Sequence, residues 1–587
     1  MEYRFVVIDF EFREAAPGLI EVVCAVAYDL TTGRVYQEWV EGESLPTPPF
    51  PCGPDTIFVA HAVAPAEARC LQALGWPMPG GWIDTYVEER VCASGEKPEK
   101  GFGLLACCKR HSVQCISSDK KTGMRELVLR GGPYSPKQKQ EILDYCESDV
   151  IETERLFRKL RPSINIPQAL IRGDSMAVFA AIGDRGLPVD TERFTAIKQL
   201  GNEGLRRLWQ RHLDVYRLME NGSFCYRRFA ELVVNSGIPW PLSDTGRFKY
   251  DKDTIKDAAK AHGEPWVNVY ELVRSIAEGA VDGLKLGSSG RLYAAAKPFM
   301  TFTGRAAPST SEFLFLGPKW QRSFLQPPPG HSLLQFDWSN QEYAIAAALS
   351  QDPAMIAAYD AGDPYLELAK MTGAVPTSAT KDSNPKERDA YKIVSLAVLM
   401  GMGVDNIGRQ TGSGYFGGRE LLTKHKKYFP VFWEWSDAVA ATGAAARDIE
   451  TAFGLVYNPG DPSQFKPRTA RNFLLQSTGS DMLRAAVLML EEAGINVIAT
   501  IHDAVLVMCK THLVNEVVTE VVRIMEEASR ITLWNRLAVR VDLPKVDLEH
   551  GEVTRVDHPF HFQDKKGVKT WRKLAALLHL PLDAQNG

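Results

Sequence analysis

The sequence predicts a multidomain protein of mixed α/β and α+β class, and three observations predict it. The chain has 587 residues and 45% hydrophobic content, enough to bury several cores. Its first 165 residues alternate strand-like with helical runs, the pattern of an α/β layer. Its C-terminal half sets four polar segments into apolar patterns: FDWSNQE at 336–342, RDAYK at 388–392, RTARNFLLQ at 468–476 and IHDA at 501–504.

In residues 1–165, RFVVIDFEF, IEVVCAVAYDL and DTIFVAHA read as strands. APAEARCLQALGW and PKQKQEILDYCESDVIETERLFRKL read as helices. Asp9 and Glu11 are two apart in VVIDFEF, so on a strand both face one side. Carboxylates so placed repel unless a cation sits between them; ordinary alternation on an exposed face is the other reading. Tyr145 and Asp149 are four apart and share one face of the long helix. Eight of the ten cysteines precede residue 150 and none form C-x-x-C, which predicts buried free thiols. Cys107, Cys108, His111 and Cys115 are a weaker zinc candidate, because adjacent cysteines suit tetrahedral ligation poorly.

A break at RPSINIP leads into residues 166–285, which are mostly helical in period apart from the turn-forming SGIPWPLSDTGR. The net charge is −4, yet from Lys285 to Arg322 six basic residues stand against one acidic. That local excess fits a groove for nucleic-acid phosphates; a solvated basic surface is the alternative. No apolar run approaches the roughly 18 residues of a membrane span, and the start, MEYRFVVIDFEF, lacks the features of a signal peptide. A cytoplasmic protein with no membrane partner is expected.

In the C-terminal half, LLQFDW reads as a strand ending at Asp337. Ser339-x-x-Glu342 after it matches a capping box, so Glu342 is either a cap or a functional acid. VIATI and AVLVMC flank His502 and Asp503, a tight hairpin with an acid at its tip. Together Asp337 and Asp503 supply the two carboxylates of a two-metal phosphoryl-transfer clamp. Arg388 and Lys392 stand one helical turn apart and can grip a triphosphate. Leu396 and Met400 continue that face as a surface for an incoming base. Arg468, Asn472, Gln476 and Ser480 form a polar stripe able to donate to minor-groove acceptors.

In joint order and spacing, these segments resemble the polymerase half of family A DNA polymerases, the group of bacterial DNA polymerase I, over about residues 285 to 550. The resemblance implies a right-hand polymerase with thumb or connector at 166–285, palm at 286–345 and 477–587, and fingers at 346–476. Asp337 and Asp503 would be palm metal ligands, and Arg388 and Lys392 nucleotide contacts on a fingers helix. Thr303-Gly304-Arg305 looks like the family's TGR element, which makes Arg305 a DNA contact with Arg468, Asn472 and Gln476. Glu342 matches the glutamate that crowds the sugar 2′ position, and His502 the histidine near the primer terminus. Leu396, Met400 and Ala504 depart from the commonest residues and resemble a phage-type branch, for which the host cytoplasm is the expected location.

Residues 1–165 resemble the RNase H-like 3′-to-5′ exonuclease of the same polymerases, of the DEDD group with a Y-x-x-x-D motif. That resemblance implies Asp9, Glu11, Glu67 and Asp149 as ligands and Tyr145 as the residue orienting water. Glu67, the acid of AHAVAPAEARCL, stands where an aspartate is usual, with Asp84 as fallback. The implied cofactor is Mg2+, two ions per site, with Mn2+ able to substitute. The implied partners are primer-template DNA, dNTPs and a replication accessory protein, for a monomer lacking the additional 5′-nuclease domain. A single-subunit RNA polymerase and a DNA-binding scaffold with decayed sites are the alternatives.

Overall fold

The computed structural model describes residues 3–580 except 44, 96–97, 221–222, 278–280, 295–296, 308–311, 462, 464, 544–545, 550–551 and 557–564. The chain divides into two compact units. The first comprises Met1–Gly186, Ala295–Pro308 and Pro329–Val556; the second comprises Leu187–Ala294, Ser309–Pro328 and Asp557–Gly587.

The first unit opens with β1 (Arg4–Ala16), β2 (Leu19–Asp29), β3 (Val35–Trp39), β4 (Thr56–Ala60) and β5 (Gly81–Asp84), in sheet order β3-β2-β1-β4-β5. β1 is antiparallel to β2 and parallel to β4, and β4 is parallel to β5, so a hairpin arm adjoins a parallel set whose β4–β5 connection crosses over through a helix. Val6, Val7, Ile8 and Phe10 are buried on β1, so apolar burial on both faces fixes that strand while Asp9 and Glu11 remain between. Four helices carry or surround the polar residues of this sheet: α1 (Glu67–Leu74), α2 (Thr85–Cys92), α3 (Ser118–Arg130) and α4 (Pro136–Leu160). Ser135 and Gln138 close a capping box at the start of α4, which sets the phase of Tyr145 and Asp149. α5 (Ile166–Arg185) completes this region.

The same unit holds a second, antiparallel sheet made of β6 (His331–Trp338), β7 (Val497–Ile501), β8 (Ala504–Lys510) and β9 (Val541–Asp542), in order β7-β8-β6-β9. Around it lie α6 (Gln341–Ser350), α7 (Pro364–Met371), α8 (Pro385–Leu399) and α9 (Pro467–Glu492). α6 is buried on nearly every side, which explains its run of alanines: small side chains allow close helix packing.

The second unit is mainly helical, with Thr191–Leu213, Tyr226–Ser236, Lys252–His262 and Trp266–Ala277. Phe229 and Trp266 are buried in its core with Phe224, Tyr226 and Trp240 packed against them, and the exposed Tyr250 stacks on Phe224. The sequence after Asp557, HPFHFQDKKGVKTWRKLAALLHL, has the pattern of an amphipathic helix. Lys565–Leu577 is helical, and Trp571 packs on Trp320 and Phe324 of the same unit. The start of that segment, 557–564, lies outside the described residues.

Candidate active sites

The antiparallel β6–β8 pair brings the C-terminal acids together. Phe336 stands opposite Val505, so Asp337 follows on one strand where Asp503 precedes on the other. β6 runs one residue past Asp337, and Asp337 is exposed rather than buried at the strand end. Although its tip is open, desolvation by the surrounding protein, and then the charges of Asp503 and Asp542, raise its pKa to about 6. Burial also raises Asp503, and Arg305 partly offsets that effect. His502 and Asp503 form the two-residue turn between β7 and β8, with His502 at φ 57°. The sequence offered no signal for Asp542. It lies opposite Asp337 on the edge strand β9, where directly opposed side chains share a face, and it accepts a hydrogen bond from the Ser339 hydroxyl.

Arg305 lies 3.1 Å from Asp503 and donates through Nε to the Gln476 carbonyl at 3.4 Å. Gly304 before it has φ 73°, and a Cβ there would meet the Arg484 guanidinium at 2.9 Å; this turn needs glycine both for its backbone and for that close approach. The Gln476 side-chain amide donates to Glu342 Oε1 at 2.6 Å and approaches Met400 Sδ at 3.8 Å. The capping alternative for Glu342 is thereby overturned. Asn340 caps α6 without a side-chain bond, and Ser339 is engaged by Asp542 instead.

Arg468 and Asn472 turn toward the protein, donating to the Met400 carbonyl at 2.9 and 3.4 Å. Met400 caps the end of α8 rather than continuing its face, and both Leu396 and Met400 are partly exposed. Arg388 is paired with Asp363 at 2.8 Å and Asp389 at 3.2 Å, while Lys392 is exposed. Both cations lie over the ring of Tyr365, 5.2 and 5.9 Å from its centre. Tyr365 and Asp363 were not foreseen; Asp363, which caps α7, carried only a helix-start signal.

In the N-terminal sheet, ligand atoms of Asp9, Glu11 and Cys146 lie within 4.8 Å of one another. Burial and the charge of Asp149 push Asp9 up to about 8. Burial and Asp9 likewise raise Glu11 and Glu67 well above the usual carboxylate range. Asp149 is raised by burial to about 6, against the opposing pull of Lys121. Burial raises the Tyr145 phenol, which interacts with Asp149. The fallback Asp84 is already occupied: its carboxylate accepts backbone N–H bonds from Ala62, Val63 and Tyr86, each at 2.9 Å. Lys121, on α3, lies 2.8 Å from Asp149 and 3.4 Å from Glu152. Sequence reasoning missed both residues, because a lysine pair in a polar helix reads as solvated. The zinc candidate comes apart in the structure. His111 binds Glu89 at 2.8 Å and the Cys107 thiol meets the Phe102 carbonyl at 3.2 Å.

Both clusters suit hard divalent cations, which prefer oxygen donors. The carboxyls of Asp337 and Asp503 gather despite mutual repulsion, and Glu67 Oε2 is buried without a hydrogen-bond partner.

Residues 265–552 match the model of DNA polymerase family A. The DNA polymerase of Mycobacterium phage D29 is 26% identical over 485 residues, covering 77% of this chain and 74% of that protein. DNA polymerase I of Aquifex aeolicus is 22% identical, covering 67% and 73%. In fold, the chain is similar to the POL domain of Pol1 from M. smegmatis, solved in complex with DNA primer-template and dNTP. The TM-score is 0.66 at 17% identity, over 91% of this chain and 94% of that one. Among the described residues, no helix is long and apolar enough to cross a membrane.

Proposed function

We propose that this chain is a DNA polymerase that adds deoxynucleotides to a primer 3′ end and removes them again at a separate hydrolytic site in its N-terminal region. The observation that carries the reading is the juxtaposition of Asp337, on β6, with Asp503, in the turn that leads into β8, within the segment that matches the family A polymerase model. In this reading Asp337 and Asp503 hold two divalent cations. When bound, these acidify the primer 3′-hydroxyl and offset charge on the leaving pyrophosphate. Lys392, whose ammonium is free of carboxylate partners among the described residues, meets the incoming triphosphate. Arg388 joins it by exchanging Asp363 for phosphate, a comparable charge-assisted partner. Arg305 holds Asp503 in place until the cations and the primer terminus arrive. Glu342, fixed by Gln476, stands at the sugar. Leu396 and Met400 border the nucleotide, and Arg468, Asn472 and Gln476 face the duplex once released from Met400.

The cluster of Asp9, Glu11, Glu67 and Asp149 takes divalent metal for phosphodiester hydrolysis at a primer 3′ end, and Tyr145 orients water. Sequestered from the polymerase acids in its own sheet, this cluster serves as a 3′-to-5′ exonuclease. Leu396, Met400 and Ala504 favour the phage-type branch of the family.

Primer extension on a defined template tests the reading. Wild type should extend with dNTPs in Mg2+, and Asp337→Asn should slow extension by roughly a thousandfold, the several kcal/mol a metal contributes to a phosphoryl-transfer barrier. Degradation of the 3′ end should persist in that variant. Undiminished extension by Asp337→Asn would remove the polymerase assignment of this acid pair.

A further inference from the structure

Lys121 is a nearly buried cation placed against the N-terminal carboxylates. Its side chain is 15% exposed and its ammonium lies 2.8 Å from Asp149 and 3.4 Å from Glu152. Across the cluster, the Asp9, Glu11 and Cys146 ligand atoms lie within 4.8 Å of one another. Glu67 is 1% exposed there, with Oε2 unpartnered. The cluster therefore has two unequal halves. Asp9, Glu11 and Glu67 offer oxygen donors that form no ion pair with a cation among the described residues, although Lys121 is near enough to lower the pKa of Asp9 and Glu11, and a buried oxygen without a hydrogen bond stands in each half, Glu67 Oε2 and Asp149 Oδ1. Asp149 is already neutralised by the protein. A divalent ion added beside Asp149 would stand close to the ammonium, and like charges repel strongly where water is scarce.

The geometry points to a one-ion hydrolytic site in which Lys121 takes the place of a second divalent cation. This rests on the reading of the cluster as a 3′-to-5′ nuclease. Asp9, Glu11 and Glu67 hold one divalent cation; Lys121 stays on Asp149 and faces the scissile phosphate. Water oxygen bonds to phosphorus and the P–O3′ bond breaks. One water proton ends on the departing O3′, so the products are a nucleoside 5′-monophosphate and a shortened strand with a 3′-hydroxyl. The lysine offsets charge developing on the phosphate during that exchange.

The test counts Mn2+ bound to the full-length chain by electron paramagnetic resonance, in an Asp337→Asn, Asp503→Asn background that removes the other acid pair. One Mn2+ per chain is expected, lost when Asp9→Ala and Glu11→Ala are added. Lys121→Gln should bind two, doubling the stoichiometry, while Lys121→Arg should still bind one. Two Mn2+ with Lys121 intact, or one in Lys121→Gln, overturns the proposal. Retention of Mn2+ after loss of Asp9 and Glu11 instead overturns the nuclease reading beneath it. A second measurement does not depend on the fold of any Lys121 variant: in the wild type, the rate of 3′-end degradation should rise with the first power of Mn2+ concentration. A second-power dependence overturns the one-ion site.

Discussion

Glu342 accepts from the Gln476 amide at 2.6 Å, and that bond gives its carboxylate a fixed direction that a helix cap would not. We expect Glu342→Ala to raise ribonucleotide incorporation relative to deoxyribonucleotide, because the carboxylate no longer crowds the sugar. Gln476→Ala should do so more weakly, by leaving the carboxylate present but loose. Loss of the hydrogen bond itself should cost only about 1 kcal/mol of stability. Single-turnover competition between the two sugars measures the first effect and thermal melting the second; an unchanged sugar ratio in Glu342→Ala would return the residue to a structural role. At this scale the sequence is informative where a carboxylate borders an apolar strand, as Asp337 and Asp503 do, because the surrounding protein partly desolvates it and that is costly without a partner. It is silent where meaning depends on a distant partner. Lys121 meets Asp149 across 28 positions and Asp542 meets Asp337 across 205, and nothing local marks either.

The elements themselves follow from periodicity, but their joins do not. β1, the long α4 and the β7–β8 hairpin were legible because alternation, the 3.6-residue repeat and a two-residue turn are local properties. The join between α2, α5 and the chain near Phe453 was not. There Arg172 and Glu88, each 2% exposed, form a two-pronged ion pair at 2.8 and 2.5 Å, and Arg172 also donates to the Phe453 carbonyl at 2.5 Å. Removing one partner strands a charge in the interior. Glu88→Gln should therefore destabilise this unit by about 3–5 kcal/mol, whereas Glu88→Met combined with Arg172→Leu should cost much less. Urea unfolding followed by tryptophan fluorescence compares the three proteins. A single variant no weaker than the double would mean that the pair contributes packing and little electrostatics.

Across the whole chain a net charge of only −4 leaves little general self-repulsion, so the pH dependence of stability falls to a few buried groups. Between about pH 4 and 6.5, opposing contributions mix: His61 and His425 are lowered by burial to about 4 and about 3, while Asp84, Asp149 and Asp337 are each raised, chiefly by burial, to about 6. Above pH 6.5 the folded histidines are neutral and the unfolded ones lose their last protons by about pH 7.5, an opposing contribution smaller than that of the four buried carboxyls. What remains is Asp9 at about 8 and Asp174, raised by burial to about 7, with Glu11 and Glu67 raised alongside. In the unfolded chain these carboxyls are already ionised at such pH, so the folded state binds more protons and stability must fall as pH rises. In EDTA the melting temperature should therefore decline from pH 6.5 to 8.5, as Asp9 and its neighbours are forced to ionise together. Mg2+ should flatten the decline, because a bound divalent cation needs the deprotonated carboxylates and favours them increasingly as pH rises. Asp174 accepts from the Trp82 backbone at 2.7 Å, far from such a role, and should leave a small residual slope in either medium. Calorimetric scans at four pH values, with EDTA and with Mg2+, separate the contributions, and Asp9→Asn should flatten the EDTA curve as well. A melting temperature that rises from pH 6.5 to 8.5 without metal would mean that the N-terminal acids are not crowded together as described.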